Sequence, residues 1–160
     1  MPVLSSEEFI KFQNMNPDLK VRESINRNTS TAFNHKDVTD VIQSNIGPDN
    51  YIGYLIIDNQ IVASGFGIKE SSNGKHDTIY LHTFSVHSDY RGQGLCQKIV
   101  KEFIKKFGKK YILYLTVRTE PGDENTSAIK CYEKNDFIIL PSVYRDHYDG
   151  KNNAMIRLPT

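Results

Sequence analysis

The sequence predicts an α/β fold built on a mixed sheet flanked by helices, and three patterns in its 160 residues carry that expectation. The runs Tyr51 to Ile57 and Ile61 to Lys69, rich in β-branched and aromatic residues, flank the turn Asp58-Asn59-Gln60 and predict an antiparallel hairpin. A strand over Asp77 to Val86, a glycine-bearing turn, a helix over Gly94 to Phe107 and a strand over Tyr111 to Val117 predict a parallel β-α-β unit. The helix follows from apolar residues at Leu95, Ile99, Phe103 and Phe107, a repeat that fits one buried stripe. After a Pro121-Gly122 loop, helical spacing over about Asn125 to Asn135 and strand-like runs at Phe137 to Leu140 and Ala154 to Leu158 complete the series.

The first third is less regular. Leu4 to Phe12 and Asp37 to Ile46 have helix-like apolar spacing, with a polar stretch rich in Asn, Ser and Thr between them. Glu70 to Lys75 reads as a loop, and Gly108 as a left-handed helix terminus. At 38% hydrophobic and 24% charged residues the chain is expected to form one domain over residues 1–160. Twenty basic residues against nineteen acidic leave a net charge of +1, so no whole-molecule field favours nucleic acid or a membrane surface. No stretch approaches a membrane span in length, and the chain reads as soluble and cytoplasmic, a monomer or homodimer. Cys96 and Cys131 fall within predicted helices without the spacing of a metal knuckle or disulfide framework, and are expected to be reduced thiols.

One segment carries chemistry on its face: Val86-His-Ser-Asp-Tyr-Arg-Gly-Gln-Gly-Leu-Cys96, between a predicted strand and a predicted helix. A helix start leaves its first N–H groups unbonded, and the helix dipole favours negative charge there. Gly92 and Gly94 let the backbone approach an anion, and Arg91 adds a planar donor fork suited to phosphate. The segment lacks the Lys-Ser/Thr ending of a nucleotide phosphate loop and the GxGxxG spacing of a dinucleotide fold.

Arg91-Gly92-Gln93-Gly94-Leu95-Cys96 resembles the Arg/Gln-x-x-Gly-x-Gly/Ala motif of the GNAT superfamily of acetyl-CoA-dependent N-acetyltransferases, with Cys96 departing from the usual Gly or Ala. Asn125-Thr-Ser-Ala128-Ile-Lys-Cys-Tyr132-Glu-Lys-Asn-Asp136-Phe137 is similar to a second signature of that family, with Asp136 in place of a glycine in the turn after the helix, where Asp tolerates a left-handed conformation. A weaker third likeness is Tyr148-Asp149-Gly150 followed by Ala154-Met155. The resemblance covers roughly Tyr51 to Leu158. It implies a mostly antiparallel sheet split by an acetyl-CoA cleft, with backbone N–H groups from Gln93 to Cys96 on the pyrophosphate of coenzyme A. It further implies that the backbone of Phe84 and Val86 pairs with the pantetheine arm, that Asn125 contacts the cofactor, and that the Tyr132 phenol serves the leaving sulfur.

Transfer to an amine needs a base and an acid. A primary amine is nearly all protonated at neutral pH, and freeing it costs roughly 4 kcal/mol. The strand Tyr80-Leu81-His82-Thr83-Phe84-Ser85-Val86-His87 resembles that of arylalkylamine N-acetyltransferases, in which histidines pass the amine proton through water; His82 matches one of them and Tyr80 stands at the other. A side chain titrating near neutrality suits that work. Glu120 is the rival base.

His87, five residues from His82, should point to the opposite face, so no metal site is expected; His35, His76 and His147 read as surface residues. Lys98, Lys101, Lys105, Lys106, Lys109 and Lys110 read as a solvated face rather than a phosphate site. By the resemblance, the acceptor pocket draws on roughly Asn26 to Ile46 and Ser142 to Asn153. There Asp37, Asp40, Asp146 and Asp149 are candidate partners for a cationic amine, and Tyr144, His147 and Tyr148 suit an aromatic or alkyl stem. A small primary amine is the favoured acceptor, with a protein lysine or N-terminal amine next; the competing class is a non-catalytic coenzyme A binding module.

Overall fold

The structure, a computed structural model, describes residues 3–33, 40–72, 75–122, 125–145 and 150–160. Among these, seven strands form one sheet: β1 (Val3–Ser5), β2 (Asn50–Ile57), β3 (Gln60–Ser72), β4 (Lys75–Val86), β5 (Ile112–Arg118), β6 (Ile138–Arg145) and β7 (Lys151–Arg157). Their order is β1-β2-β3-β4-β5-β7-β6, with β4 and β5 parallel and every other neighbour antiparallel. The helices are α1 (Ser6–Met15), α2 (Val21–Phe33), α3 (Leu95–Phe107) and α4 (Thr126–Glu133). No helix of the described residues is long and apolar enough to cross a membrane.

The β2-β3 hairpin forms as expected, because Asp58 and Asn59 both take positive φ, 51° and 60°, in a two-residue turn closed by Ile57 opposite Gln60. α3 buries Leu95, Ile99, Val100, Phe103 and Phe107 against one face of the sheet, where Ile79 and Leu81 of β4 and Leu113, Leu115 and Val117 of β5 receive them. Phe9, Val21, Ile25, Ile42, Ile52, Ile61 and Phe66 build a second core on the opposite face, under α1 and α2. Fully burying such side chains contributes roughly 2 kcal/mol each, so the sheet is clamped from both sides.

Several boundaries differ from expectation. Val3–Ser5 is an edge strand, and the first helix begins at Ser6 with Ser5 and Glu8 as a reciprocal capping box. The polar stretch after it contains α2, whose buried face includes Ser24, Asn28 and Thr29; Asn28 donates from Nδ2 to the Ile61 carbonyl at 3.0 Å. A helix that turns polar side chains inward has no apolar repeat to read. Of the helix expected over Asp37 to Ile46, the part from Asp40 onward holds only a single 3₁₀ turn, Gln43–Asn45, and Asp37 lies outside the described residues. Asp40 caps that turn by accepting from Ile42 and Gln43, and pairs with Arg22 at 3.0 Å, which gives it a structural task. The expected Glu70 to Lys75 loop is shorter, since β3 runs to Ser72 and β4 starts at Lys75. Gly108 has φ −66°, not a left-handed value. Its small size matters instead: a Cβ there would lie 2.6 Å from the Ile104 carbonyl oxygen. β6 extends past Pro141 to Arg145, and Asn153 donates to the Leu140 and Ser142 carbonyls where the β6-β7 ladder is interrupted.

Candidate active site

β4 and β5 pair over only three positions, Thr78 with Ile112, Ile79 with Leu113 and Tyr80 with Tyr114. Beyond Tyr80 and Tyr114 the two strands continue, to Val86 and Arg118, without pairing to each other. This opens a slit in the middle of the sheet. On the other side of β4, Ser64 opposes Ser85 and Phe66 opposes His82, so Thr83 and Phe84 together face the single residue Gly65. Thr83, at φ 54°, is the bulged residue. A Cβ on Gly65 would sit 2.5 Å from the Phe84 ring, so glycine there makes room for that ring.

The chain then passes a short 3₁₀ turn, Ser88–Tyr90, whose preceding residue His87 accepts from the Asp89 N–H, and reaches Arg91. Gly92 and Gly94 have φ 79° and 74°, values that cost an L-residue about 1 kcal/mol or more. Nothing lies within 4 Å of a Cβ placed on either, so their backbone faces open space. Gly94 is the N-cap of α3 and offers no side-chain acceptor, which leaves the first-turn amides unbonded within the helix. This end can take an anion: free N–H groups and the positive end of a 13-residue helix border the cavity, which is also lined by Arg91, whose Nε donates to the Val86 carbonyl at 3.4 Å.

The amides border a cavity of about 660 Å³. Of the residues singled out in the sequence, it is lined by Phe84, Val86, Arg91, Gly92, Gly94, Leu95, Cys96, Asn125 and Tyr132; Gln93 does not line it. α4 supplies the facing wall. Asn125 Oδ1 accepts from the Arg118 N–H at 2.7 Å while the Asn125 N–H donates to the Arg118 carbonyl at 3.0 Å, which ties the start of α4 to the end of β5. Asn125, Ala128 and Tyr132 follow at helical spacing along the cavity. Tyr132 is 7% exposed, with its ring edge-on to Phe84 at 6.3 Å, and burial pushes its phenol up to about 12. It therefore stays protonated throughout the neutral range. Asp136, φ 69°, takes the left-handed turn after α4 as expected.

One expectation is corrected, and one side chain lies away from the cavity. Cys96 and Cys131 are not reduced thiols: they form a disulfide with Cα atoms 6.3 Å apart, and both line the cavity. Their 35-residue separation spans β5, so the pairing arises from helix packing and not from a local spacing. His82 does not line the cavity. In a regular strand His82, Phe84 and Val86 would share a face, but the bulge at Thr83 reverses the parity. Phe84 then packs on Phe103 of α3, while His82 stacks on Phe66 of the opposite core at 5.7 Å.

On that opposite face Phe66, His82, Tyr80 and Tyr114 form a continuous row of rings, with successive centroids 5.7, 5.3 and 5.0 Å apart. The Tyr114 hydroxyl donates to the Glu70 carboxylate. His82 Nδ1 lies 2.8 Å from Thr83 Oγ1, and its buried Nε2 has no partner among the described residues. Burial lowers the imidazole to about 4. Because an unfolded histidine titrates near 6.5, the folded state gains from neutral His82 in full above pH 6.5 and loses that gain as pH falls toward 4. Urea titrations between pH 7 and 4 should show about 3 kcal/mol of acid destabilisation that His82→Gln removes.

Glu120, in the turn after β5, does not line the cavity. Sequence reasoning missed the buried hydroxyl pair Ser64 and Ser85, 3.3 Å apart on the cavity wall. It also missed Lys130 and Lys134, which bring positive charge to the α4 side. Asp146, His147, Tyr148 and Asp149, and His35 on the N-terminal side, lie outside the described residues, as do the side chains of His76 and Tyr144. Among the described residues no group of three His, Cys, Asp or Glu side chains converges.

A sheet parted between two parallel strands, with uncapped helix amides beside the slit, makes a cleft able to take an anionic group next to an opening in the sheet. The sequence profile described as the Acetyltransferase (GNAT) family matches residues 19–137. No curated protein matches the chain at a significant level. Among solved structures, an aminoglycoside 6'-N-acetyltransferase complexed with coenzyme A is similar over 98% of this chain and 96% of its own, with a TM-score of 0.72 and 14% identity. The ribosomal-protein-S18-alanine N-acetyltransferase from Escherichia coli is similar over 89% of this chain and 86% of its own, at 0.63 and 20% identity. A chain of the NatC complex bound to Gag peptide and CoA is similar over 88% and 91%, at 0.68 and 18% identity. The chain belongs to the GNAT acetyltransferase family, and structures of similar fold are solved with coenzyme A or acetyl coenzyme A bound.

Proposed function

We propose that the chain, acting as one domain over residues 1–160, transfers an acetyl group directly to a small primary amine in a ternary complex. The observation that carries the choice of acceptor is the row of rings that ends on Glu70 just where β4 and β5 part. Ring faces attract an alkylammonium by about 1 kcal/mol each, and a carboxylate at the end of the row pairs with a second positive charge.

Acetyl-coenzyme A supplies the activated acetyl thioester. The amides from Gln93 to Cys96, with Arg91, hold its pyrophosphate; the backbone of Phe84 and Val86 borders its arm, and Asn125 flanks it from α4. His82, neutral above its depressed pKa, accepts the amine proton through water at Nε2 and passes it on. Such a weak base relays a proton without storing it, so the pH profile of kcat/KM should lack a limb near 6.5. Tyr132 donates a hydrogen bond to the sulfur as it leaves.

Thiol release from acetyl-coenzyme A, followed across monoamines, diamines and peptides, tests this reading. Small amines should be turned over fastest, and Glu70→Gln should raise KM for diamines about tenfold, which is about 1.4 kcal/mol, while monoamines change little. Faster turnover of peptides would overturn the assignment.

A further inference from the structure

We propose that Cys96 and Cys131 form a redox-active dithiol site on the wall of the cofactor cavity, and that coenzyme A binds tightly when their disulfide is closed and more weakly when it is reduced. This rests on the cofactor reading above.

Cys96 is the second residue of α3, and its own N–H is one of the amides left without an intrahelical acceptor. Cys131 immediately precedes Tyr132 on α4. The bond therefore joins the anion-binding wall to the wall that carries the phenol, and both sulfur-bearing residues line the cavity. α4 has eight residues, too few to persist without external contacts. Its start is tied to β5 through Asn125; near its end, Asn135 donates from Nδ2 to the Cys131 carbonyl, and the disulfide fixes the Cys131 side chain to α3. With the bond closed, the cavity is already lined from both sides. A receptor ordered before binding spares the ligand that ordering cost, and opening the bond returns it.

Reduction breaks the Sγ–Sγ bond. A dithiol reductant supplies two electrons and two protons, closes to its own cyclic disulfide, and leaves two thiols on the protein. Because binding and reduction are linked, a ligand that prefers the closed form makes the bond harder to reduce by the same factor.

The test uses desulfo-coenzyme A, which lacks the thiol that would itself exchange with the bond. Calorimetry on the oxidised and dithiothreitol-reduced protein should give a Kd about tenfold weaker after reduction, and Cys131→Ala should bind with the weaker affinity under both conditions. On the unaltered protein, saturating desulfo-coenzyme A should lower the disulfide midpoint potential by about 30 mV, the same tenfold expressed for two electrons. Affinities within twofold of each other, or tighter binding after reduction, overturn the proposal while leaving the cofactor reading intact. Free thiols in the air-oxidised protein, or loss of the native circular dichroism on reduction, overturn it as well. An absence of binding in both states overturns the cofactor reading, and this proposal with it.

Discussion

Tyr132→Phe should lower kcat by about two orders of magnitude while the affinity for coenzyme A stays within twofold of the unaltered protein. The phenol is buried and held near 12, whereas a thiol ionises near 8.5, so complete proton transfer from Tyr132 to a departing thiolate runs uphill. Its contribution is a hydrogen bond that strengthens as negative charge develops on sulfur, in a setting with little water to screen it. Loss of one such donor typically costs 10²- to 10³-fold in kcat. The ring of phenylalanine keeps the packing on Phe84 and Phe137, and therefore the shape of the cavity. Steady-state kinetics together with calorimetric titration separate the two effects. Between pH 6 and 9 the slope of the rate for the unaltered protein should track the free amine alone, because the phenol does not titrate there; an unchanged kcat in the variant would remove Tyr132 from the chemistry.

The second large effect is on stability. Removing the Cys96–Cys131 bond should cost about 4 kcal/mol, from the chain entropy released when a 35-residue closure is lost. With a urea slope of about 2 kcal/mol/M, the midpoint of unfolding should fall by about 2 M in Cys131→Ala or on reduction. The bond encloses most of α3, all of β5 and most of α4, and the loss should be common to all spectroscopic probes if unfolding is two-state. A shift below about 0.5 M would mean that α3 and α4 are held by packing alone.

What could be read from the sequence was local. Asp58-Asn59 and Asp136 announce positive φ, the apolar stripe of α3 announces its buried face, and the strand-turn-helix at Arg91 to Cys96 announces an anion site; each depends on neighbours within one turn. What could not be read depends on distant contacts. α2 hides because Asn28 is buried to satisfy a carbonyl of β3, and the Ser64–Ser85 pair exists only once two strands are in register. The disulfide needs two helices to pack. The location of His82 turned on one residue, Thr83: counting by twos along β4 sends His82 to the same face as Phe84, and the bulge sends it to the other. The strand-turn-helix that borders the cavity could therefore be read from the sequence, and the face of the sheet on which His82 lies could not.

The short parallel ladder between β4 and β5 has an implication for how this architecture can vary. Three paired positions are all that join strands β1 to β4 to strands β5, β7 and β6 along the backbone. Zipping β4 and β5 together for one more step would consume main-chain groups beside Tyr80 and Tyr114 and begin to seal the opening through which donor and acceptor meet. Changes that improve strand pairing at this seam, ordinarily a gain in robustness, would here trade turnover for rigidity; the protein has to keep part of its sheet unfinished.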